Sequence, residues 1–87
     1  MKKVYIVGVE YNTGGFFDFF YSEEPRDTLY AEHKVDPALN GHGENCKLYK
    51  GEIEIPINLN EDDELSLVEA YLMEHDFENA FGFITLS

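Results

Sequence analysis

The run Val4-Tyr5-Ile6-Val7-Gly8-Val9 has no charged side chain and only the Tyr5 hydroxyl as a polar group, and no other segment limits the fold so tightly. Successive strand side chains alternate across a sheet, so Val4, Ile6 and Gly8 point one way and Tyr5, Val7 and Val9 the other. A strand apolar on both faces belongs in the interior of a sheet, which makes residues 3–11 the expected central strand. Asn12-Thr13-Gly14-Gly15 follows, rich in residues that tolerate positive φ, and reads as a turn. Residues 16–22 return as a second strand and close a hairpin over 3–22.

Further strands are expected at 47–57 and 81–86. In the first, Tyr49, Gly51, Ile53, Ile55 and Ile57 share one face and Lys50, Glu52, Glu54 and Pro56 the other, so one face is buried and the other wet. Gly51 fits a bulge, and Pro56 fits an edge or a strand end. Residues 22–35 also alternate, Leu29, Ala31, His33 and Val35 against Thr28, Tyr30, Glu32 and Lys34. That favours an edge strand over a short helix capped by Ser22 with Pro25 in its first turn. Residues 36–45 read as a loop, with Gly41 and Gly43 as breakers.

One helix is placed by Ser66-Leu67-Val68-Glu69, which has the spacing of a capping box. Val68, Tyr71, Leu72 and His75 fall on its apolar face. Glu61, Asp62, Asp63 and Glu64 either precede the cap or form a first turn from Asn60, at the positive helix end. The expected class is α+β. It is a single domain over 1–87 with one mostly antiparallel sheet of four or five strands, in the order ββ(β)βαβ, and one main helix on one face.

Charge then bears on function. The chain carries 18 Asp and Glu against 6 Lys and Arg, a formal net charge of -12. Residues 1–50 hold eight acids and six bases, whereas residues 51–87 hold ten acids and no base. High net charge with few aromatics leads to disorder, but 44% hydrophobic and 15% aromatic residues predict a folded domain. The base-free stretch has a bland role, solubility, and a specific one, a negative surface for a basic partner. Glu52 and Glu54 would stand about 6.7 Å apart on the wet strand face, at ~3.3 Å per residue. Glu74 and Glu78 would stand about 6 Å apart along the helix axis. Such spacing could imitate a phosphate backbone and engage a surface built for nucleic acid.

The strand Phe16-Phe17-Asp18-Phe19-Phe20-Tyr21 divides its rings between two faces. Phe17, Phe19 and Tyr21 join the core under the helix, and Phe16 and Phe20 lie opposite, beside Asp18. A single helix leaves that second face to the 22–46 segment, to a second copy or to a partner. Base stacking on such rings needs a positive groove as well, so direct nucleic-acid binding is not expected.

Three motifs come close to chemistry and fall short. Asn58, Asn60, Asp62, Glu64 and Glu69 approximate a calcium loop, but Asp63 stands where the sharp turn needs Gly, and a capped acidic helix start explains the same residues. His42-Gly43-Glu44-Asn45-Cys46 offers imidazole, carboxylate and thiol without the second ligand pair a zinc site needs. A Cys46–His42 nucleophile pair lacks a local oxyanion site. A polar loop ending in a buried thiol accounts for the same five residues.

The expectation is therefore a non-enzymatic acidic module or inhibitor, with no metal and no cofactor, that occludes a basic surface of another protein. Its partner-facing acids are Glu52, Glu54, Glu61, Asp62, Asp63, Glu64, Glu69, Glu74, Asp76 and Glu78. Phe16 and Phe20 are expected to mediate self-association into a homodimer, or partner binding. Small viral inhibitors offer an analogy for such a chain. The alternative is a small homo-oligomer binding a ligand between copies. A single cysteine and the lack of a membrane-spanning run suggest a cytoplasmic protein.

Overall fold

A computed structural model describes residues 1–11, 14–35, 46–74 and 81–86. The doubly apolar segment forms strand β1 (Lys2–Tyr11), and it lies inside the sheet as its side chains demand. On one side it pairs with β2 (Gly14–Phe20), on the other with β3 (Cys46–Ile55), and β4 (Ile84–Leu86) follows β3. Every pairing is antiparallel, in the order β2-β1-β3-β4. The α+β architecture read from the sequence is thus present, with two helices: α1 (Glu23–Val35) and α2 (Glu61–Glu74).

Residues 23–35 are helical, not an edge strand. The period-two alternation there is a by-product of a helical one. Arg26, Leu29, Tyr30 and His33 stand at i, i+3, i+4 and i+7, and all four are buried or half-buried, with Asp27 beside them, whereas Ala31 and Val35 are exposed. Glu23 and Glu24 in the first turn and His33 and Lys34 in the last complement the helix dipole. Pro25 sits in the first turn, where its missing N–H would have had no intrahelical acceptor.

The second helix begins six residues earlier than a Ser66 cap implies, at the Asn60 start that the sequence also allows. Asn60 is the cap: its Oδ1 accepts the Asp63 N–H at 2.8 Å, and its carbonyl accepts the Glu64 N–H at 3.0 Å. Ser66 is an exposed mid-helix residue. Glu64, Val68, Tyr71 and Leu72 form the inward stripe, and Glu61, Asp62 and Asp63 stay exposed at the positive helix end.

The two helices cover opposite faces. Val4, Ile6, Tyr49, Ile53 and Ile55 pack under Val68, Tyr71 and Leu72 of α2, joined by Phe17, Phe19 and Phe81. Val7, Val9, Cys46 and Leu48 pack under Leu29 and Tyr30 of α1, joined by Phe16, Phe20 and Ile84. The expectation of one covered face is corrected accordingly. Two glycines let aromatic rings lie flat on the α2 face. The Tyr49 ring occupies the space a Gly8 side chain would take, and the Phe81 ring the space above Gly51, where it stacks on Tyr71 at 6.0 Å. Gly51 thus makes room for a ring, and Pro56 follows the last residue of β3.

Candidate functional site

The distribution of ion pairs defines the surface. Lys2 Nζ lies 3.0 Å from Glu64 Oε2, and Lys3 Nζ 3.7 Å from Glu52 Oε2. Arg26 is buried and acts as a hub. Its Nε donates to Asp27 Oδ1 at 2.7 Å and its Nη1 to the Gly51 carbonyl at 2.8 Å. Its Nη2 lies 3.4 Å from Glu23, and the guanidinium covers the Tyr5 ring. Lys50 joins Asp27 at 3.3 Å, and Lys47 lies over the Phe83 ring. Burial pushes the Asp27 carboxyl up, but hydrogen bonds from Arg26 and Lys50 outweigh it and hold the group below its ordinary range.

Five of the six cations are thus engaged, by four carboxylates and an aromatic ring. Ten carboxylates among the described residues form no ion pair: Glu10, Asp18, Glu24, Glu32, Glu54, Glu61, Asp62, Asp63, Glu69 and Glu74.

The acids named from the sequence do not form one surface. Glu52 and Glu54 project from the sheet face that bears Tyr5, opposite α2, and Glu52 is paired with Lys3. Glu61, Asp62, Asp63, Glu69 and Glu74 are exposed on α2. Glu64 is buried against Lys2 and is not displayed. Asp76 and Glu78 lie outside the described residues. Sequence reading overlooked Glu10, Asp18, Glu24 and Glu32. They are hidden in an N-terminal half whose net charge is near zero, because four of the six cations that balance them on paper are paired with other carboxylates.

Three depressions border β2. A cleft of about 510 Å³ lies between the β1–β2 hairpin and the C-terminal part of α2, lined by Glu10, Phe17, Tyr49, Glu69, Leu72 and Met73. Burial pushes the Tyr49 phenol up to about 12, and the nearby Glu10 charge adds to the shift. A second depression, of about 330 Å³, lies among Phe19, Tyr21, Glu61, Asp62 and Leu65. The third, of about 500 Å³, lies on the α1 side among Phe20, Glu24, Leu29 and Glu32.

Phe16 and Phe20 are half-buried on the face that α1 covers, with Phe16 edge-on to the buried His33 ring at 5.8 Å. The premise for pairing two copies through an uncovered aromatic face therefore falls away. Cys46 is buried in the same cluster. His42, Glu44 and Asn45 lie outside the described residues. Within the calcium-like segment, Asn60 caps α2 and Glu64 faces inward to Lys2, so the alternating residues do not converge. Among the described residues no cluster of three His, Cys, Asp or Glu could hold a metal ion, and no helix is long and apolar enough to cross a membrane. No protein-family model, curated protein or solved structure matches the chain.

Proposed function

We propose that this protein is a non-enzymatic acidic binding module that occludes a basic surface of another protein, of the kind built to hold nucleic acid. One observation carries the reading. The fold pairs four of its six cations with carboxylates and leaves ten described carboxylates without an ion pair. Such a surface attracts positive partners over a Debye length of about 8–10 Å and accelerates their encounter. A reducing, cytoplasmic setting suits the buried Cys46 thiol.

Competition tests this. Purified basic nucleic-acid-binding domains are loaded with fluorescent duplex DNA, and the protein is titrated in at low and at high salt. Displacement at low salt that weakens steeply with added salt, mainly through the association rate, is the expected result. If no domain in the panel loses its DNA at low salt, the proposal fails.

A further inference from the structure

Strand β2 ends the sheet, and among the described residues no strand pairs with its outer edge. An open edge presents a row of backbone N–H and C=O groups, a ready template for one more strand. Natural edges are commonly blunted by charge, and here the charge has one sign. Glu10 and Glu69 line the cleft beside Phe17, Glu61 and Asp62 the depression beside Phe19, and Glu24 and Glu32 the one beside Phe20. Asp18 stands exposed on the strand itself. Asp18 and the six acids of these depressions thus place seven of the ten unpaired carboxylates on or beside β2, on both faces of the sheet, and no Lys or Arg lines any of the three depressions. Lys2, over the Tyr21 ring at one end, is paired to Glu64.

We infer that β2 accepts an extended basic segment of a partner protein as a fifth strand. This rests on the acidic-module reading and gives it a place and a geometry. Side chains of an added strand alternate between the two faces, and on either face a Lys or Arg would meet carboxylates. The cleft between Glu10 and Glu69, walled by Phe17, Tyr49 and Leu72, suits the apolar stem and charged head of one long cation. Charge also argues against the other obvious occupant, a second copy. Two β2 edges brought together would oppose seven carboxylates with seven more and supply no cation.

The probe is a blocked seven-residue peptide of alternating Lys and Val, read by fluorescence anisotropy and by amide chemical shifts. Two companion peptides keep the charge but carry N-methyl groups, one on each alternate set of backbone amides. Strand addition uses one set only. One N-methylated peptide should therefore lose affinity about tenfold or more while the other binds like the parent, and amide shifts should centre on Gly14–Phe20. A Glu–Val peptide should not bind. If both N-methylated peptides bind like the parent, strand addition is overturned, although an acidic surface that binds cations survives. Failure of the parent peptide to bind also overturns it, while the duplex-displacement assay judges the broader reading separately. A peptide-resistant dimer in sedimentation equilibrium, with β2 amides protected from exchange, would assign the edge to a second copy instead.

Discussion

Replacing Gly8 by Ala probes the α2-side core more sharply than any larger change. A Cβ at Gly8 would fall onto the outer ring atoms of Tyr49, Cζ and Oη, and 2.9 Å from Cε1, where real Cβ atoms keep at least 3.0 Å. Tyr49 is only 5% exposed, so its ring has little room to yield. Overpacking of this kind costs about 1–3 kcal/mol. Losing a strand glycine returns about 0.5–1 kcal/mol, because Ala has less backbone freedom to give up. Gly8→Ala should therefore destabilise by roughly 0–2.5 kcal/mol, about 1 kcal/mol at the middle of both ranges, in the native background. In a Tyr49→Leu background the ring is gone, and the same substitution should stabilise by about 0.5–1 kcal/mol. The sign reverses, which a cost unrelated to Tyr49 would not produce. Urea unfolding of the four proteins at constant m-value measures it. Additivity within about 0.5 kcal/mol would refute the claim that ring and glycine were matched.

Arg26→Met should cost about 2–3 kcal/mol, since it removes a buried charged donor from the Gly51 carbonyl, and Arg26→Lys should not restore it because Lys lacks the fork that serves Asp27 and Gly51 together; urea midpoints check both. Tyr49 has a folded pKa of about 12 against an ordinary 10.0, so the neutral phenol's contribution is complete below pH 10 and is lost as pH rises towards 12. Discounted for partial solvent screening, this is on the order of 1–3 kcal/mol, and Tyr49→Phe should show a correspondingly shallower alkaline loss in urea titrations. Cys46→Ser should cost at most about 1 kcal/mol, as exchange of one small buried side chain for another among Val7, Val9 and Leu48; equal duplex displacement by the folded variant would confirm that the thiol has no part in binding.

The sequence disclosed the sheet better than the surface. β1 is legible because six consecutive uncharged positions, three of them Val and one Ile, bounded by a Gly-rich turn, favour an interior strand, and the face assignments of Tyr49, Ile53 and Ile55 follow from strict alternation. Helix α1 was misread because its inward residues satisfy both periods locally: Leu29 and His33 differ by four, which keeps the same face on a strand and nearly the same face on a helix. Arg26, a charged residue on the inward stripe, disguised the helical pattern further. The α2 start stays open between Asn60 and Ser66 in the sequence because both residue types cap helices equally well in isolation. The burial of Glu64 against Lys2, 62 residues away along the chain, then favours the earlier start.

The surface was less legible because charge along a chain and charge in space are different quantities. By sequence, the C-terminal 37 residues hold the negative excess and the first 50 are nearly neutral. Folding redistributes both. Placing β1 beside β3 brings Lys3 to Glu52, and packing α2 over the sheet brings Lys2 to Glu64, so cations from the N-terminal half neutralise acids from the other half. Arg26 and Lys50 converge on Asp27, at the β3 side of α1. The N-terminal acids that remain among the described residues, Glu10, Asp18, Glu24 and Glu32, are left at the β2 side, where they meet Glu61, Asp62 and Glu69 from α2. Neither half alone would concentrate charge there. The strand order decides it: with cations on β1 and β3 drawn into pairs, the strand at the far edge, which has none of its own, carries the excess.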